Sequence, residues 1–262
     1  MKKLTLITFF ALMTVGMTSC YFDHAPFCMT GGGAIVTKEF DLESFNSISA
    51  ETVYDIEIVQ GNEQKIIAEG HENMMSQLDL RVINNHLGCD LINDCYSSFK
   101  MKLYITVPEI KNVEVSSTGD ITIKEFKGLK SLDLTSTSTG NIVAEGNFKI
   151  EENLVIKSTS TGDIKIDVET DEINTYMSST GHVSISGSCN VQTIDLTSTG
   201  SYNGYDLYSK DCSVVSSGTG DTYIYVEDNL DVVISSVGDV LYKGNPRVHV
   251  NDSSVGSLIS VD

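Results

Sequence analysis

From Val113 onward, apolar and polar residues alternate in short runs, and the runs return about every twenty residues. Val113 and Val115, Leu132 and Leu134, Leu154 and Ile156, Ile194 and Leu196, Val232 and Ile234, and Val248 and Val250 share one parity. Side chains of a strand point alternately to its two faces, so each run predicts a short strand with one buried face. Each run leads into Ser-Thr-Gly-Asp or a degraded copy of it. The glycines fall at Gly119, Gly140, Gly162, Gly181, Gly200, Gly220, Gly238 and Gly256, with spacings of 21, 22, 19, 19, 20, 18 and 18 residues. Two residues beyond them stand Ile121, Ile142, Ile164, Val183, Tyr202, Thr222, Val240 and Leu258, which share the face of the glycine and predict the interior. The opposite parity faces solvent. It carries β-branched residues before the glycine and Asp120, Asn141, Asp163, His182, Ser201, Asp221, Asp239 and Ser257 after it.

A unit of this size cannot bury its own apolar face, so copies must stack and exchange ladder hydrogen bonds. The expected fold is all-β: a right-handed parallel β-helix, or β-solenoid, with rungs of about 20 residues. Eight rungs at the inter-strand spacing would measure roughly 38 Å. The regular repeats span 111–262. Residues 34–110 alternate less evenly, with strand patterns at Val53–Val59, Leu78–Val82 and Met101–Ile105 and turn signals at Gly61-Asn62 and Asn84-Asn85. They predict an irregular β-rich section or opening rungs, with one helical turn between His71 and Gln77.

The chain begins with a leader. Lys2 and Lys3 precede an apolar run, Leu4 to Val15, too short to span a bilayer, and Met17-Thr18-Ser19-Cys20 closes it. This end resembles the lipobox of bacterial lipoproteins, which implies a signal peptide over 1–19 and acylation, palmitate included, at Cys20. An ordinary secretory signal is the alternative. With Tyr21 following the cysteine, resemblance to lipoprotein sorting rules implies the outer membrane, on its periplasmic or its surface side. Residues 20–33, ending in Gly31-Gly32-Gly33, read as the lipidated cysteine and a flexible tether. Loss of Lys2 and Lys3 with the leader takes the formal charge from −19 to −21, and only two arginines occur. That balance opposes nucleic acid and anionic lipid as partners, leaving the N-terminal lipid as the membrane attachment.

Gly31-Gly32-Gly33, Phe45-Asn46-Ser47-Ile48, the strand running to Val59 with Gln60-Gly61, the strand ending at Pro108 and the Ser-Thr-Gly-Asp ladder occur in an order that resembles the GIN-domain family. Its members are auto-transporter adhesin head domains of Gram-negative bacteria, often lipoproteins. The resemblance spans 31–262 and implies a right-handed β-helix outside the cytoplasm; the family supplies no catalytic residues to carry over.

The polar column supplies the candidate binding residues: Asp120, Asn141, Asp163, His182, Asp221 and Asp239. Stacked carboxylates bind calcium or a cationic partner in some proteins. Here His182 and Ser201 interrupt the row, and Asp or Asn at a bend commonly bonds local backbone instead. His182 beside Asp163 is a candidate base and orienter, weighed against a solvated surface histidine. No metal or cofactor is expected. The cysteines beyond Cys20 allow two bridges at most: Cys89 with Cys95 across a hairpin, and Cys189 with Cys212 one rung apart. These features favour an adhesin-like binding module for a glycan or protein over an enzyme. A pectinase-type β-helix enzyme built on Asp163, Asp221 and Asp239 is the alternative. Open solenoid ends expose strand edges, which predicts capping or self-association there.

Overall fold

The structure, a computed structural model, describes residues 28–93, 95–252 and 255–261. The expected signal peptide and the expected lipidation site, Cys20, lie outside the described residues. The chain is 64% strand and forms a β-solenoid of about seven turns with rungs of roughly 20 residues.

The N-terminal section contains β1 (Met29–Thr30), β2 (Ile35–Phe40), β3 (Ser47–Ala50), β4 (Asp55–Gln60) and β5 (Lys65–His71). A 3-10 turn at Glu72–Ser76 leads to β6 (Leu78–Ile83), β7 (His86–Leu91), β8 (Tyr96–Ser97) and β9 (Met101–Val107). The Asn84-Asn85 hairpin has both residues at positive φ, 52° and 63°, as a tight turn between twisted strands requires. Strands β3 and β4 form the first rung, yet the next rung in space on one side is β7 with β9, which come later in the chain. The chain then crosses to the other side of β3 and β4. Antiparallel strands close this end: β6 runs against β7, and β5 lies between β9 and β2.

The regular rungs use β10 (Asn112–Val115), β11 (Ile121–Lys124), β12 (Leu129–Ser136), β13 (Ile142–Ser158), β14 (Ile164–Met177), β15 (Val183–Leu196), β16 (Tyr202–Ser216), β17 (Thr222–Ile234), β18 (Val240–Lys243), β19 (Arg247–Asp252) and β20 (Leu258–Ser260). All pair in parallel. Ile121 sits opposite Ile142, then Ile164, Val183, Tyr202, Thr222 and Val240 in turn, and each is fully buried. On the wall before the corner, Val113, Leu134 and Ile156 form a similar buried column. Each such side chain contributes roughly 1.5–3 kcal/mol by leaving water, so the stacked columns are the main source of stability.

The glycine column is fixed by space. A Cβ on Gly140, Gly162, Gly181, Gly200, Gly220, Gly238 or Gly256 would collide with the carbonyl oxygen of the glycine one rung earlier. At the corner the Gly181 N–H donates to the Ser160 carbonyl at 2.9 Å, and the Gly162 N–H to that of Ser138 at 2.9 Å. Backbone rests directly on backbone there.

Two expectations need correction. The structure joins Cys28 to Cys95, while Cys89, Cys189 and Cys212 are free and buried. Cys89 points into the core from β7, so it cannot meet Cys95 on the outside. Cys189 stands opposite Ser209, and Cys212 opposite Gln192, so the register keeps that pair apart. The glycine triplet is also no free tether. β1 pairs with β8, Gly32 N–H donates to Asn73 Oδ1 at 2.8 Å, and a side chain at Gly31 would strike His71 and Phe99.

Candidate functional site

The polar column forms a hydrogen-bonded ladder, broken once, along one corner of the solenoid. Asp120 Oδ1 accepts the Asn141 N–H at 2.9 Å, Asn141 Oδ1 that of Asp163 at 2.8 Å, and Asp163 Oδ1 that of His182 at 2.8 Å. His182 Nδ1 accepts the Ser201 N–H at 3.3 Å. After a break, Asp221 Oδ1 accepts from Asp239 at 3.0 Å, and Asp239 Oδ1 from Ser257 at 2.8 Å. Each side chain therefore supports the backbone of the next rung. The ladder starts one rung earlier than the sequence repeat suggests, because Asp55 Oδ1 accepts the Asp120 N–H at 3.1 Å. Asp55 has no Ser-Thr-Gly before it, so only the stacking of β4 on β11 reveals its role.

This geometry limits the chemistry of the column. Successive carboxylates are one rung apart, about 4.8 Å, and each uses an oxygen on backbone. Asp163 touches the backbone of His182 and not its ring, and the Nδ1 of that ring is already an acceptor. The pair is thus not arranged as a base with its orienter. Among the described residues no group of three or more His, Cys, Asp and Glu is placed to hold a metal ion.

A second feature lies on the outer wall of β16 and β17, where the repeat is broken. Gly204 pairs with Ile224 and Tyr208 with Tyr225, so Tyr205, Asp206 and Leu207 have no counterparts on β17 and form a bulge, with Leu207 turned into the core and Tyr205 and Asp206 towards solvent. Bulges of this kind re-aim side chains. Tyr205 packs edge-on against Tyr223 with centroids 5.2 Å apart, and Tyr208 against Tyr225 at 4.6 Å. Lys243 Nζ stands 4.4 Å from the Tyr205 centroid, a cation–π contact. The Tyr223 hydroxyl donates to Asp221 Oδ2 at 3.2 Å. Partial burial pushes the hydroxyls of Tyr205 and Tyr223 above their ordinary pKa, with Asp221 adding to the rise at Tyr223. All four rings remain partly or fully exposed, Tyr208 most of all at 53%.

A buried polar network lies beneath this wall. The Tyr202 hydroxyl donates to Gln192 Oε1, Gln192 Nε2 donates to Ser209 Oγ at 3.1 Å, and Ser209 Oγ donates to the Tyr225 carbonyl at 2.9 Å. Gly204 is required because a Cβ would press on the Tyr202 ring at 2.7 Å. The network therefore holds the bulged strand to its neighbours from inside. Tyr208 borders one of two depressions on this wall, and Asp206 of the bulge borders the other. One of about 440 Å³ is lined by Glu169, Ser188, Asn190, Tyr208, Lys210 and Glu227, and another of about 270 Å³ by Lys165, Ser184, Ser186, Asn203 and Asp206. The spacing of the repeats conceals this cluster, since only the bulge brings Tyr205 beside Tyr223.

A family model described as "Putative auto-transporter adhesin, head GIN domain" matches residues 44–246. Solved structures are similar over most of the chain. A "putative adhesin" from Parabacteroides distasonis superposes with a TM-score of 0.78 at 16% identity, covering 88% of this chain and 99% of its own. Another from Parabacteroides merdae gives 0.75 at 18%, covering 89% and 99%. A third from Bacteroides fragilis gives 0.69 at 21%, covering 89% and 100%. At these identities the likeness concerns the fold. No curated protein matches the chain.

Proposed function

The chain belongs to the GIN head-domain family of putative auto-transporter adhesins, and from that premise we propose that it is a lipid-anchored binding module of the outer membrane whose ligand is a glycan or a protein. The observation that carries this reading is the exposed aromatic wall over β16 and β17, four tyrosines on a rigid scaffold in an otherwise acidic polar chain. Exposed aromatics fixed by packing supply contact area at little entropic cost, which is how recognition surfaces gain affinity. The adhesin-like family supports a place in the cell envelope. The lipid anchor rests on the leader and Cys20, which makes the solenoid a head held at the membrane by acyl chains.

Attachment tests the role. Beads coated with residues 21–262 are expected to adhere to glycoprotein-coated or cell surfaces above beads coated with an unrelated acidic protein. Equal adhesion across all surfaces would remove the binding role. Fractionation tests the anchor: the full chain is expected in the outer-membrane fraction and Cys20→Ser in the soluble fraction. A soluble wild-type chain would remove the lipoprotein reading.

A further inference from the structure

Resting on the adhesin reading, we propose that the wall formed by Tyr205, Tyr208, Tyr223 and Tyr225 is a binding site for an uncharged glycan, with sugar rings stacked on the tyrosines and their hydroxyls held in the adjoining depressions. A pyranose presents a face of C–H bonds and a rim of hydroxyls. Tyrosine meets both needs, since its ring takes the apolar face and its hydroxyl and polar neighbours take the rim.

The cluster is a local departure from the repeat. On the outer column that passes through Tyr223, the five rungs before it carry Thr122, Val143, Lys165, Ser184 and Asn203 and the next carries Leu241, none of them aromatic; the column's other aromatic, Tyr104, lies beyond Glu57 at the opposite end of the solenoid. The aromatic side chains appear where the bulge occurs, and the buried network from Tyr202 to the Tyr225 carbonyl fixes that bulge. Tyr223 and Tyr225 are two residues apart on one strand, about 7 Å, and the facing pairs are one rung apart, about 4.8 Å. This places paired rings at two steps along the wall, a layout for successive units of a chain-like ligand.

The surroundings select the ligand class. Glu169, Asp206, Asp221 and Glu227 lie around the rings, with Lys210 and Lys243 among them, in a chain of formal charge −19. A polyanion would be repelled there, while a neutral sugar finds carboxylate, amide and hydroxyl partners.

The test uses immobilised neutral hexasaccharides of glucose, mannose, galactose or N-acetylglucosamine, with polygalacturonate as the anionic comparison. Wild type is expected to bind at least one neutral oligosaccharide saturably and to ignore polygalacturonate. The Tyr208→Ala, Tyr225→Ala double variant is expected to weaken that binding at least tenfold. The matching Tyr→Phe double variant should stay within about threefold, because stacking survives loss of the hydroxyl. Asp163→Ala, on the corner ladder, is expected to bind as wild type does. Binding unchanged by the Ala substitutions would overturn this site and leave the adhesin role standing. Binding lost equally in the Phe variant would overturn the stacking mechanism. Should no neutral oligosaccharide bind while coated beads still adhere, the glycan assignment falls alone; absence of both would remove the adhesin reading too.

Discussion

Replacing Gly181 by alanine is expected to be among the most damaging single-methyl additions in the chain. The new Cβ would collide with the Gly162 carbonyl oxygen, lie 2.8 Å from the Ser160 carbonyl oxygen and 3.1 Å from Ser158 Oγ. The obstacles are mostly backbone, so no rotamer change relieves them. The corner has to open, which stretches the Gly181 N–H bond to Ser160 and the neighbouring bond from Ser178 to Ser158, each 2.9 Å. Overpacking costs about 1–3 kcal/mol, and two weakened backbone bonds add about 1 kcal/mol each. The expected loss is therefore roughly 3–5 kcal/mol, a large part of a typical stability of about 5–15 kcal/mol. Gly128 provides the comparison. Its φ is 72° and a Cβ there meets nothing within 4 Å, so Gly128→Ala should cost only the left-handed backbone penalty of about 1–2 kcal/mol. Urea unfolding followed by strand circular dichroism and by tyrosine emission, which no tryptophan obscures, measures both. A Gly181→Ala loss below about 1 kcal/mol, or no larger than that of Gly128→Ala, would refute the claim that space fixes the column.

Three other outcomes are expected. Asp163→Ala removes the acceptor of the His182 N–H and should cost about 1 kcal/mol, while Asp163→Asn keeps an oxygen there and should cost less; equal losses in urea melts would contradict a ladder built on that bond. Burial raises the thiol pKa of Cys89 and Cys212 and pushes that of Cys189 up to about 12, so all three stay protonated at pH 8. A thiol reagent should therefore find none of them in the native chain, three in denaturant and five after reduction of residues 21–262; a fast-reacting native thiol, or five without reductant, would argue otherwise. Partial burial raises the Asp133 carboxyl pKa, with Lys157 opposing the shift. Since the folded state holds that proton more tightly than the unfolded state, the contribution of Asp133 is most favourable at low pH and falls as pH rises through its folded pKa. Asp133→Asn should raise the melting temperature at pH 7 and have little effect at pH 3, and the same gain at both would break the link to ionisation.

Much of the fold was legible because its determinants are local and repeat. Alternation gave the strand faces, and the Gly119 to Gly256 series gave the rung length and the inner column from Ile121 to Val240. The Asn84-Asn85 turn and the 3-10 turn at Glu72–Ser76 also follow from short-range chemistry. The ladder residues were readable as a column, but the atom each would bond was not. For Asp163 and His182 the sequence left a base with its orienter open beside a solvated surface histidine, and the register placed the carboxylate on backbone.

By itself the sequence determined that the chain stacks: a twenty-residue apolar period leaves each unit with a face that only another unit can cover, and glycine at each corner lets them come close enough. Tertiary structure decided what depends on residues far apart in the chain. It placed β7 and β9 outside β3 and β4, joined Cys28 to Cys95 across 67 residues, and added Asp55 to the ladder. It also turned scattered tyrosines into a wall, through one bulge in β16 whose extra residues have no partner on the next rung. Periodicity records which side of a strand is buried. It does not record which rung lies next to which, or where a break in register brings two outward side chains together.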